Sequence, residues 1–113
     1  MPIVLDEYDK HRSGRRYKVN FHIRWGRGAS EEYEGKIADL SAGGCFVESE
    51  EAVEDGDPVK IRLHVPGLGD LTIWGHVVFR AKGKGFGVQF TAFSHDGTRD
   101  KLEQILLEVS RGR

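Results

Sequence analysis

The sequence predicts a mainly β fold, a six-stranded antiparallel barrel followed by one C-terminal helix. Runs of alternating polar and apolar residues recur between residues 17 and 93, a pattern typical of half-buried strands. Fifteen glycines against three prolines suit the tight turns and bulges of such a fold. Past residue 97 the apolar period changes to that of a helix. A chain of 113 residues is most simply one domain, which we expect to comprise an N-terminal arm (residues 1–16), a barrel (17–93) and a helix (97–110).

The first strand has the clearest alternation, with five apolar residues on one face: Tyr17, Val19, Phe21, Ile23 and Trp25. A second strand is expected at residues 31–38, with Tyr33 and Ile37 turned inward. Residues 39–44 form a turn, and Cys45 lies in a short third strand as a small buried hydrophobe. Trp25 is expected to fill the barrel or to contact a partner.

The fourth strand is predicted at residues 59–65 and the fifth at 71–79. Leu71, Ile73, Val77 and Phe79 mark the inner face of the fifth strand, and Gly75 on that face indicates a bulge or a barrel corner. Trp74 lies out of phase with them and is expected to be exposed. The sixth strand covers residues 86–90. The helix carries one apolar stripe: Leu102, Ile105, Leu106 and Val109.

Composition excludes several function classes. A net charge of −1 argues against a protein that coats nucleic-acid polymers. The five histidines are scattered without partners at metal-ligand spacing, so we expect no metal, no cofactor and no catalytic residues. The single cysteine, the lack of a signal peptide and the lack of an apolar run of bilayer length predict a cytoplasmic protein without membrane insertion.

Two short segments indicate an anion site. Lys10-His11-Arg12-Ser13-Gly14-Arg15-Arg16 supplies guanidinium groups that suit phosphate or the O6/N7 edge of guanine, although a solvated basic run is an equal alternative. Asp39-Leu40-Ser41-Ala42-Gly43-Gly44 supplies a carboxylate that suits the N1–H and N2–H₂ donors of guanine, and its glycines allow positive φ and close approach to a ligand. Here the alternative is an Asx-type turn in which the polar side chains bond local backbone.

Together the two segments resemble the motifs of the PilZ domain, a bacterial receptor module for cyclic di-GMP. Arg-x-x-x-Arg at residues 12–16 is followed by Asp-x-Ser-x-x-Gly at residues 39–44, and residues 85–90 resemble the last strand of the family. The resemblance implies that Arg12 and Arg16 contact guanine edges and phosphates. It implies that Asp39 and Ser41 bind and shape the guanine pocket and that Gly44 keeps the surface open.

The same resemblance makes Arg15 and Gly43 secondary contributors to the site. His11 occupies the position that, in the family, bears on whether one ligand or an intercalated pair is bound. The implied protein is a non-catalytic cyclic di-GMP receptor in motility or biofilm regulation, a monomer or weak dimer. Its arginine arm is expected to become ordered over the ligand and to alter the surface shown to a protein effector.

Two alternatives remain at this point. The first is an adaptor of the same fold whose main role does not depend on nucleotide. The second is a barrel that binds single-stranded nucleic acid through its arginines, Arg12, Arg15, Arg16, Arg24 and Arg27. The near-neutral net charge and the lack of an exposed aromatic row weigh against the second.

Overall fold

The chain folds into a closed six-stranded antiparallel barrel with one C-terminal helix, as the sequence predicts. The structure, a computed structural model, describes residues 16–28, 32–94 and 97–111, with side chains up to residue 107. The strands are β1 (Tyr17–Gly26), β2 (Tyr33–Leu40), β3 (Gly44–Glu48), β4 (Pro58–Val65), β5 (Gly69–Ala81) and β6 (Gly85–Phe93), and the helix is α1 (Thr98–Arg111). The strand order around the barrel is β1-β2-β3-β6-β5-β4, and the pairing of β4 with β1 closes it.

The alternating apolar residues form the interior of the barrel. Trp25 is fully buried, with its ring centroid 4.8 Å from that of Tyr33 and 5.0 Å from that of Phe86. Trp25 therefore fills the barrel. Trp74 is 39% exposed, which confirms its predicted place on the outside. Cys45 is buried among the apolar residues of the core, also as predicted.

The helix packs against the barrel core through its apolar stripe. Leu102 and Leu106, two members of the predicted stripe, are buried and join the hydrophobic core. The side chain of Val109 lies outside the described residues. The amide of Lys101 donates to the carbonyl of Gly97 at 3.2 Å, so the first helical turn closes on the residue before Thr98. No helix among residues 16–28, 32–94 and 97–111 is long and apolar enough to cross a membrane.

Two elements differ from the sequence-based expectation. The second strand continues through Asp39 to Leu40, so Asp39 lies in a strand and the turn shrinks to residues 41–43. Phe79, predicted to face the core, is 45% exposed. The cause is a register shift between Val77 and Phe79 in the pairing of β5 with β6, because one irregular residue turns the following side chain to the other face. A second shift next to Gly75 confirms the predicted irregularity there.

Candidate functional site

The structure brings two predicted site residues together on the barrel surface. Arg16 immediately precedes β1, and Asp39 lies near the end of β2, opposite Lys18. The Nη1 atom of Arg16 donates to Oδ1 of Asp39 at 3.0 Å. The two side chains are 36% and 31% exposed, so the ion pair is open to solvent on one side. It therefore presents a cation and an anion to anything that approaches this part of the barrel.

The turn after β2 is held together by the side chain of Ser41. This side chain is fully buried, and its Oγ accepts hydrogen bonds from the amides of Gly43 and Gly44, each at 3.2 Å. The hydroxyl donates to the carbonyl of Gly44 at 3.3 Å, and the Ser41 amide donates to the same carbonyl at 2.9 Å. Ser41 thus bonds local backbone, the arrangement expected of a structural turn. Contact between its hydroxyl and a ligand stays a prediction.

Gly44 is required by the barrel itself. A Cβ atom at this position would run into the backbone carbonyl oxygen of Val88 on the neighbouring strand β6. The carbonyl of Gly43 accepts a hydrogen bond from the amide of Phe90 at 2.9 Å, which ties the turn to the same strand. Neither Gly43 nor Gly44 has a positive φ, although the sequence suggested that these glycines allow one. Gly44 thus serves the close packing of β3 against β6, and the contribution of either glycine to ligand binding stays a prediction.

An aromatic surface next to Asp39 was not expected from the sequence. Strand pairing places five residues in one row across β1, β2, β3, β6 and β5: Lys18, Asp39, Phe46, Gly87 and Phe79. The rings of Phe46 and Phe79 are stacked with centroids 6.0 Å apart. Phe79 covers Gly87, where a Cβ atom would strike its ring. At the usual strand spacing the row extends about 14 Å from Asp39 to Phe79.

The sequence contained one signal for this surface. Gly87 is a glycine on the outer face of a strand, and such a residue often marks a close approach by another group. The partner that approaches it, Phe79, is turned outward only by the register shift in β5. The approach therefore becomes visible only in the folded barrel.

The thiol of Cys45, close to the ion pair, is unreactive because it stays protonated. Burial raises the pKa of Cys45, the nearby carboxylate of Asp39 raises it further, and the guanidinium of Arg16 acts in the opposite direction. The side chain is thus a neutral thiol at physiological pH, which fits the predicted role of a small buried hydrophobe.

Three predicted site residues, His11, Arg12 and Arg15, lie outside the described residues. A cleft of about 800 Å³ lies at the other end of the barrel, between residues 49–53 and the turn that joins β5 to β6. It is lined by both acidic and basic side chains and by none of the predicted site residues. In the part of the chain that the structure describes, no three His, Cys, Asp or Glu side chains form a group that could hold a metal ion.

The fold and the surface ion pair define the class of protein, a small closed β-barrel domain with a charged site beside a serine-glycine turn. The PilZ domain family model matches residues 10–108, and the chain belongs to this family. No curated protein matches the sequence significantly.

Solved structures share the fold. The Bacillus subtilis inhibitor of motility (MotI/DgrA) superposes with a TM-score of 0.70 at 15% identity, over 87% of this chain and 50% of that one. The PilZ domain of CeSA from a cellulose-synthesizing bacterium has a TM-score of 0.61 at 18% identity, over 85% and 98%. K. pneumonia MrkH, solved in complex with c-di-GMP, has a TM-score of 0.66 at 23% identity, over 83% and 49%. The chain thus spans about half the length of MotI/DgrA and MrkH.

Proposed function

We propose that this protein is a non-catalytic receptor for cyclic di-GMP that acts on a protein effector. The observation that carries the proposal is the ion pair between Arg16 and Asp39, which joins one residue from each of the two family motifs on the open surface of the barrel. Membership of the PilZ family supports it, and so does the MrkH complex, in which a domain of similar fold is solved with c-di-GMP.

The chemistry of the pair suits a guanine base. Guanine presents acceptors at O6 and N7 and donors at N1 and N2, so a guanidinium and a carboxylate can bind its two edges. Without ligand, Arg16 and Asp39 bond each other. An ion pair this exposed contributes no more than about 1 kcal/mol to stability. Breaking it so that both groups can bind the ligand therefore costs little free energy.

Phe79 supplies the apolar part of the proposed site. Its ring is 45% exposed, lies against Gly87 and stacks with the ring of Phe46. Stacking a base on such a ring contributes about 1 to 3 kcal/mol. In this proposal the base lies along the row between Asp39 and Phe79, with its polar edge toward the ion pair.

The N-terminal arm completes the proposed mechanism. Arg12 contacts a phosphate or the second guanine, Arg15 and Gly43 contribute weakly, and His11 influences whether one or two ligand molecules are held. Binding orders the arm against the barrel, and the free energy of the charge-assisted hydrogen bonds must exceed the entropy lost. The altered surface is then read by the effector, with the receptor itself a monomer or weak dimer.

Calorimetric titration with cyclic di-GMP tests the proposal. We expect the parent protein to bind, and Arg16→Ala and Asp39→Ala each to weaken binding at least tenfold, which is about 1.4 kcal/mol. Arg24→Ala is the matched control, because Arg24 on β1 makes a similar exposed ion pair with Glu34 on β2, at 3.2 Å. No binding at tens of micromolar ligand, or an equal loss in the Arg24 variant, contradicts the proposal.

A second titration tests the aromatic surface. Phe79→Ala removes the proposed stacking surface, and we expect the affinity to fall by about fivefold to a hundredfold. Trp74→Ala is the control, because Trp74 is a comparably exposed aromatic residue of the same strand outside the row. If Phe79→Ala binds like the parent, the base lies elsewhere.

One observation favours a second candidate, a protein-interaction adaptor that works without nucleotide. Trp74 is a large aromatic side chain that is 39% exposed, and aromatic residues are enriched at protein interfaces. The signature of this function is a complex with a partner protein that forms equally with and without cyclic di-GMP.

A further inference from the structure

Strand β6 passes directly beside the Ser41 turn and carries one outward polar residue there. Gln89 is paired with Gly44 on β3 and with His76 on β5. Its neighbours along the strand, Val88 and Phe90, are buried in the core, so Gln89 lies on the outer face, where it is partly exposed. Its side chain therefore emerges on the surface that holds the proposed ligand site.

The backbone at Gln89 is held on both sides by close packing. A Cβ atom at Gly44 would run into the carbonyl oxygen of Val88, and one at Gly75 would run into the carbonyl oxygen of Gln89. Both flanking strands can approach this closely only because they have glycine at these positions. The hydrogen bond from Phe90 to Gly43 adds a further tie, at 2.9 Å. Gln89 thus stands on a rigid support, as a binding residue needs.

Two of the outer-face positions next to Gln89 are glycines, which contribute no side chain. Gly44 lies opposite it on β3, and Gly87, which the ring of Phe79 covers, is the next outward position along β6. On the other side His76 lies opposite Gln89 on β5. The side-chain amide of Gln89 makes no hydrogen bond within residues 16–28, 32–94 and 97–111. At ordinary strand spacing its Cα atom lies about 12 Å from that of Asp39, two strands across and two residues along.

We propose that Gln89 is a further ligand-contact residue, whose amide N–H donates to a phosphate oxygen of the bound cyclic dinucleotide. The inference rests on the proposed function. If Asp39 and Phe79 hold the base within one row, the ribose and phosphate extend to the next row, which Gln89 and Gly44 occupy. A phosphate oxygen is an acceptor, and the donor half of the amide suits it.

Three substitutions at one position test the donor role by titration with cyclic di-GMP. Gln89→Leu keeps the approximate shape and removes the hydrogen bond, so affinity falls about three- to tenfold. Gln89→Glu keeps the shape, loses the donor and adds a negative charge, so affinity falls further than in the Leu variant. Gln89→Lys supplies a charged donor and binds at least as tightly as the parent, with a steeper dependence on salt.

The control is Thr91→Val, a near-isosteric change at the next outward position of β6, which is expected to leave the affinity unchanged. Thermal melting verifies that each variant is folded. If the parent binds while all three Gln89 variants bind like it, or if the Glu variant binds as well as the parent, the assignment of Gln89 is overturned and the receptor function stands. If the parent does not bind, the receptor function fails and the assignment of Gln89 fails with it.

Discussion

Gly44 and Gly87 are both crowded glycines at outward-facing strand positions, yet the loss of stability on substitution by alanine should differ between them. At Gly44 the obstacle is the backbone carbonyl of Val88, which belongs to a strand paired on both sides. The clash can be relieved only by separating β3 from β6. Overpacking of this kind costs about 1 to 3 kcal/mol, and an obstacle made of backbone places Gly44→Ala at the upper end.

At Gly87 the obstacle is the ring of Phe79, which is 45% exposed and can rotate into solvent. Rotation sacrifices the stacking on Phe46, about 0.5 to 1.5 kcal/mol. Replacing a glycine returns about 0.4 to 1 kcal/mol through the unfolded chain. The net change for Gly87→Ala is therefore within about 1 kcal/mol.

Urea denaturation followed by tryptophan emission measures the difference, because Trp25 is fully buried and reports on unfolding. We expect Gly44→Ala to lose about 2 kcal/mol more than Gly87→Ala, which corresponds to roughly 8 °C in melting temperature. The reasoning is refuted if the Gly44 variant lies within about 0.5 kcal/mol of the parent, or if the two variants lose the same amount. A large loss at Gly44 also means that weak ligand binding by that variant is no evidence for a ligand contact there.

Two further predictions concern buried polar groups. Ser41→Ala leaves the amides of Gly43 and Gly44 without their acceptor and should lower the free energy of unfolding by about 1 to 3 kcal/mol. Ser49→Ala removes one exposed hydrogen bond to an amide and should change the free energy of unfolding little. Equal losses for the two variants in urea denaturation would contradict this prediction. Burial raises the pKa of Cys45 above its unfolded value of 9.0, so above that pH the unfolded chain releases a proton that the folded chain keeps. Relative to Cys45→Val, the free energy of unfolding of the parent should therefore decline as pH rises past about 9, by up to about 1.4 kcal/mol per pH unit. Parallel pH profiles for the two proteins would contradict a raised pKa of the Cys45 thiol.

Much of the fold followed from local pattern. The alternation in β1 and the helical stripe of α1 place Trp25, Leu102 and Leu106 in the core, because a side chain's face depends on its own strand or helix period. The two motif segments indicate the family, and their spacing makes Arg16 and Asp39 candidate site residues from the sequence alone. The pairing of these two residues follows from the short antiparallel connection between β1 and β2, which brings the start of one strand to the end of the other.

The sequence by itself determined most of the strands, the helix, the family and the charged candidates for the proposed site, since each depends on residue type and on spacing along one segment. Tertiary structure decided the rest. Phe79 reaches the surface because of a register shift between two strands, Gly44 is needed because of a carbonyl on β6, and Gln89 adjoins the turn through pairing with a strand about forty-five residues away. Register and close approach between strands are properties of pairs, and no local pattern in a single strand contains them.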